Sequence, residues 1–183
     1  MARAAPLTFV TSNAGKLREA ADCLGLPVEG IELALEELQT TDLEALLRHK
    51  AGQAFAQVGR PLLVEDTALV FAAWGRLPGP FVKFFLAELG PAGHVRALQP
   101  FADDRAEAVC GVGYHDGERI HLFEGRTAGT IVSPRGRQGF GWDPIFVPEG
   151  AGRTFAEMEL AEKQRYSMRA RALAALAAYL RGA

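Results

Sequence analysis

What most limits the architecture open to this chain is the order of its two hydrophobic periods. Strand-like and helix-like segments alternate at first, and a hairpin pattern arrives only late. "LTFVTSN" is a β-branched apolar run ending in polar residues, a strand entering a loop. "AGKLREAADCLG" places Leu17, Ala20, Ala21 and Leu24 at helical spacing and stops at Gly25. A weaker strand, "GIELAL", precedes "TDLEALLRHKAGQAFAQVG", a helix with Thr41 or Asp42 as N-cap. Its buried side carries Leu43, Leu46, Leu47, Ala51, Ala54 and Phe55. "RPLLVEDTAL" reads as a buried strand ending in two acids. "PGPFVKFFLAEL" reads as a helix entered through prolines, and "PAGHVRAL" as a second short one.

From Arg105 onward the pattern is a hairpin turning at "HDGE" and continuing into a long strand. The last helix starts at Ser167 as N-cap, buries Leu173, Leu176 and Leu180, and ends at Gly182. This order predicts a mixed α/β domain with a central cleft, one domain over residues 1–183. The formal net charge of −2 argues against a broad basic face for nucleic acid or an anionic membrane. No apolar run approaches a membrane span, and "MARAAPLTFV" lacks a signal-peptide apolar region, so a cytoplasmic location is expected. Cys23 and Cys110 show no metal or redox spacing and read as buried reduced thiols.

Sixteen arginines stand against four lysines, Lys16, Lys50, Lys83 and Lys163. Under a bias toward Arg, a lysine that persists marks a candidate place where a compact ammonium is needed; leftover surface lysines would give the same count. "TSNAGK", Thr11 to Lys16, lies where the first strand meets the first helix. Helix N–H groups, the small side chains of Thr11, Ser12 and Asn13, and a lysine suit phosphate oxygens, although the same residues would serve as a plain cap. Glu65 and Asp66 neighbour each other on a strand, so one of them is expected to face the cleft, where a carboxylate beside phosphates suits Mg²⁺. In "GRQGFGWDPIF", Phe140 or Trp142 could stack on a flat ring, glycines let backbone approach its edge, and Asp143 could accept from ring N–H groups.

Taken in order, "TSNAGK", "ELQ", "VEDTAL", "LPGPFVKFF", "GRTAGTIVSPRG", "GFGWDPIF", "TFAEM" and "AEKQRYSMR" resemble the inosine triphosphate pyrophosphatase family across almost the whole chain. The resemblance implies an elongated α/β fold of two lobes around a nucleotide-binding cleft, usually as a homodimer. It also implies Mg²⁺-dependent hydrolysis of ITP, dITP or XTP to the monophosphate and pyrophosphate. Carried over by motif, Thr11, Asn13 and Lys16 hold the triphosphate with Lys50 and Lys83. Asp66 binds the metal and acts as, or orients, the base for the attacking water, with Thr67 beside it. Glu37 of "ELQ" is the second carboxylate, with Glu36 as the alternative. Phe140 stacks on the base, Gly141, Trp142 and Asp143 complete that wall, and Lys163 and Arg169 contact the base. All four lysines thus fall on motif positions. The chain departs from the family in Ser167-Met168-Arg169, where Ser-His-Arg is usual, which puts base discrimination in question. A shifted base specificity and a nucleotide sensor without turnover are the competing readings.

Overall fold

The computed structural model describes residues 6–182, so the first five residues of the segment tested for a leader lie outside it. The elements are β1 (Leu7–Val10), α1 (Ala14–Leu24), β2 (Val28–Ile31), α2 (Leu43–Val58), β3 (Leu62–Phe71), β4 (Pro78–Gly79), α3 (Val82–Leu98), β5 (Arg105–His115), β6 (Ile120–Ile131), β7 (Phe146–Pro148), α4 (Leu160–Tyr166) and α5 (Met168–Gly182). One seven-stranded sheet runs β2-β1-β3-β5-β6-β7, with β4 added to β3. The first strands pair in parallel, β1 with both β2 and β3, whereas β4 on β3 and β7 on β6 are antiparallel. The mixed α/β class expected from the segment order is the class found. Among the described residues no helix is long and apolar enough to cross a membrane.

The chain divides into two compact units. The first is Met1–Asp66, Gly111–Glu124 and Ala170–Ala183; the second is Thr67–Cys110 and Gly125–Arg169. In the first unit the stripe of α2 packs on the sheet as its spacing requires: Leu47, Ala51 and Ala54 join Val10, Leu62 and Val64 in one buried cluster. The partly buried Ile31, Leu33, Leu35, Leu43 and Phe55 lie against it. In the second unit Phe146, Phe155 and Ile145 are fully buried, and Phe146 and Phe155 lie 5.4 Å apart.

Local rules account for most boundaries. Asp42, not Thr41, caps α2, its side chain accepting the Ala45 N–H at 3.1 Å. Gly25 and Gly59 end α1 and α2 in the left-handed conformation. Ser167 caps α5, its Oγ accepting the Arg169 N–H at 3.2 Å. The expected pair of helices is found as the two halves of α3, parted at a kink at Gly90 (φ 63°, ψ 175°) ahead of Pro91.

Four expectations are corrected. β2 lies earlier than "GIELAL", and residues 32–42 form neither helix nor strand. β3 does not end at its acids: it continues to Phe71, where pairing of Leu69 and Val70 with β4 extends the ladder. Leu180, in the last turn of α5, is half-buried rather than core. Cys23 is likewise half-buried, while Cys110 is buried. The Asp42 cap leads to a first test: Asp42→Ala should lower stability by about 1 kcal/mol, read as a shift of the urea midpoint at unchanged m-value.

Candidate active site

The acids of β3 and two of the four lysines meet in the first unit. Glu65 is 3% exposed, and its Oε1 lies 3.2 Å from Nζ of Lys16 in the first turn of α1. Asp66 is half-buried, its Oδ2 3.2 Å from Nζ of Lys50 in mid-α2; the same ammonium donates to the Glu65 carbonyl at 3.3 Å. The two acids take different lysines, as neighbours pointing to opposite faces of a strand would. Sequence reasoning expected one of them to matter and left Glu65 out of the site; alternation alone could not show that α1 and α2 would each supply a cation.

"TSNAGK" builds its own turn. Thr11 Oγ1 accepts the Asn13 N–H at 3.1 Å, and Asn13 Oδ1 accepts the N–H groups of Gly15 and Lys16 at 2.9 and 3.0 Å. Those two N–H groups are therefore satisfied within the motif, in the plain-cap role its residues would equally serve; Ser12 is exposed on the bend. The turn's effect is to launch Lys16 from a fixed first turn.

Glu36 and Glu37 are exposed in the segment that follows β2. Gln53 pins it to α2, accepting the Glu36 N–H at 3.0 Å and donating to its carbonyl at 3.3 Å. Gln53 is three residues from Lys50, so both project from one helix face and the acidic segment is docked one turn from the Lys50–Asp66 pair. No group of three His, Cys, Asp or Glu side chains is clustered for a metal among the described residues. Mg²⁺ does not require one, because it usually takes one or two carboxylates and completes its shell with water and substrate phosphate. The donor set fits such an ion. Lys16, Lys50, Glu65 and Asp66 sum to zero charge, so a polyanion gains little attraction there until another cation arrives.

In the second unit, the aromatic loop is organised by one carboxylate. Asp143 is 3% exposed, and its Oδ2 accepts the Phe140 N–H at 2.9 Å and the Lys163 ammonium at 2.8 Å. Phe140 is the half-exposed ring of the pair proposed for stacking; Trp142 is buried against Phe146 and Phe155. Lys163 Nζ lies 4.8 Å from the Phe140 centroid and Arg169 Cζ 5.2 Å from it. Phe155, which the sequence did not single out, adds a second ring 5.5 Å from Lys163. Met168 is 2% exposed, beside the 1% exposed Arg169. Gly141 is exposed with φ 63°, Thr67 follows Asp66 along β3, and Lys83 stands exposed on α3 with Nζ 4.8 Å from the Phe84 ring centroid.

The loop ahead of Phe140 is also tied down. The Ala156 carbonyl accepts the N–H groups of Arg137 and Gln138 at 3.2 and 3.0 Å, and Thr154 with Glu157 closes a capping box around Ala156. The Thr154 backbone N–H chiefly, then its hydroxyl and the nearby Arg135 and Arg153, holds the Glu157 carboxyl below its ordinary value of 4.5. A depressed carboxyl stabilises fully above that ordinary value, and the contribution is lost as the pH falls below it. Glu157→Gln should therefore flatten the acid side of the stability profile, measured as urea midpoints from about pH 7 down to about pH 3. At Gly139 (φ 77°) an added Cβ would meet Asp143 Oδ2 at 2.1 Å. Gly139→Ala should cost roughly 2–4 kcal/mol by the same measurement, since it strains the backbone and displaces a buried charge pair.

Comparison with known proteins gives the family. The Ham1 family model matches residues 7–179. Inosine triphosphate pyrophosphatase 1 of Trypanosoma cruzi is 48% identical over 178 residues, 94% of this chain and 91% of that protein. The inosine triphosphate pyrophosphatase of Aspergillus fumigatus is 47% identical, with 95% and 94% covered. Among solved structures, a Ham1 protein from Coxiella burnetii superposes with a TM-score of 0.84 at 28% identity, covering 97% of this chain and 100% of that one. A nucleoside-triphosphatase, dITP/XTP pyrophosphatase, from Mycobacterium abscessus gives 0.71 at 30% identity, with 94% and 98% covered. A model match of that extent, with relatives this similar over nearly their whole length, means that the chain belongs to the Ham1 family.

Proposed function

We propose that this protein is a hydrolase that cleaves non-standard purine nucleoside triphosphates, ITP, dITP and XTP, to the monophosphate and pyrophosphate. The observation that carries the reading is the half-exposed Phe140 ring flanked by Lys163 and Arg169, over a buried carboxylate that aims one of them. A purine stacked on that ring meets cationic donors at its edge. Those donors suit a 6-oxo group, whereas the 6-amino group of adenine would meet them donor to donor. Leaving a buried donor unpaired in this way discriminates by about 10⁴-fold. Lys163 has three donors and can serve Asp143 and a base together.

For the phosphates, the proposal uses Lys16, Lys50 and Lys83 as ammonium donors, with Thr11, Ser12, Asn13 and Thr67 as polar neighbours. Asp66 and Glu37 would hold Mg²⁺, which when bound supplies neutralisation of the triphosphate charge. Asp66 orients and polarises the water that attacks the α-phosphorus, and Lys50 keeps its carboxylate in one position. The lysines lower the charge that the water must approach. A homodimeric state, a cytoplasmic location and a single catalytic domain over the whole chain belong to the same proposal on the family resemblance. Light scattering on the purified protein decides the first of these.

The test is pyrophosphate release from ITP, dITP, XTP, GTP, ATP and dTTP. Release should be strong from the first three, absent after chelation and restored by Mg²⁺, and lower by about 10²–10⁴-fold in Asp66→Asn. Comparable release from GTP or ATP would favour the reading in which the apolar Met168 leaves base selection relaxed. Binding without release from any of them would favour a sensor.

A further inference from the structure

Helix α3 carries Lys83 on its first half and is cut by Gly90 and Pro91. The helical geometry is interrupted there: Gly90 lies at φ 63°, ψ 175°, and Pro91 has no N–H to extend the ladder. His94, on the second half, spans the break. It is 0% exposed, and its Nδ1 lies 3.0 Å from the Gly90 carbonyl, which can only accept, so Nδ1 carries the proton and donates. Its ring also meets Phe85 of the first half at 6.0 Å and Phe71 of β3 at 6.2 Å.

The other nitrogen has a different environment: among the described residues, the buried Nε2 meets no hydrogen-bond partner. A buried polar atom left unsatisfied costs stability, so a leucine would be the better residue here if filling space were the whole task. What histidine adds over leucine is the Nδ1 donor to Gly90. The first half of α3 in turn sits on the aromatic loop, with Leu86 Cδ1 3.7 Å from where a Cβ on Gly141 would stand. We propose that His94 is a positioning residue: its bond to Gly90 locks the joint in α3 and so fixes Lys83, and the helix face against the Phe140 loop, for the substrate. This rests on the reading of Lys83 as a triphosphate contact.

Two variants separate the bond from the bulk. Asn places an amide N–H near the position of the histidine Nδ1, whereas Leu fills the space without a donor. Two measurements apply to wild type, His94→Leu and His94→Asn: amide hydrogen exchange along α3, with α4 as internal reference, and steady-state pyrophosphate release from ITP. A net hydrogen bond of this kind corresponds to a change of about fivefold. In His94→Leu, exchange over residues 82–89 should rise by about that factor and KM should rise similarly, with kcat nearly unchanged. His94→Asn should restore most of both. Unchanged exchange in His94→Leu, equal effects of Leu and Asn, or faster exchange at unaltered KM would each overturn the proposal. The exchange arm needs no turnover: absence of pyrophosphate from wild type would remove the enzymatic reading, while the joint would still stand or fall by exchange.

Discussion

A carboxylate taken out of water must be given a cation or hydrogen-bond donors, because an uncompensated buried charge costs several kcal/mol. Three carboxylates in this protein meet that constraint with three of its four lysines: Glu65 with Lys16, Asp66 with Lys50 and Asp143 with Lys163. Much else follows from these pairs. Thr11 and Asn13 shape the turn that starts Lys16, and Gln53 docks the Glu36 segment beside Lys50. Gly139 is required because Asp143 fills the space a side chain would need.

The pairs also shape the proposed chemistry. In a ligand-free protein each ammonium is held by its carboxylate, so the cations are positioned before any substrate arrives and little ordering remains at the moment of binding. The cost is that Lys16, Lys50, Glu65 and Asp66 sum to zero charge, which is the physical reason a divalent ion belongs in the proposal. On the base side the balance differs. Asp143 holds Lys163, and both Lys163 and Arg169 lie against the Phe140 ring, where the proposal sets the edge of a 6-oxo purine.

Much of the fold was legible before the structure. The α2 stripe, the Asp42 and Ser167 caps, the hairpin and the break at Gly90-Pro91 follow from local rules, and each is where the residues imply. The two misplaced strand ends share one cause. β3 outruns its acids because its neighbours in the sheet extend the ladder, and β2 stops at Ile31 because β1, its partner, is only four residues long. Pairing partners, not intrinsic preference, set strand ends.

The candidate site divides the same way. Sequence alone determined which residue types carry the chemistry and in what order: four lysines among many arginines, the acid pair, and a glycine-rich aromatic loop. It also placed Lys16, Asp66 and Phe140 on their elements, since motif and cap are local. Only the tertiary structure decided the partners. That Glu65 serves Lys16, and that Asp143 turns inward to Lys163 while Trp142 packs on Phe155, depend on residues 13 to 49 positions apart in the chain. Such contacts are chosen by packing and charge compensation in three dimensions, for which no spacing rule exists.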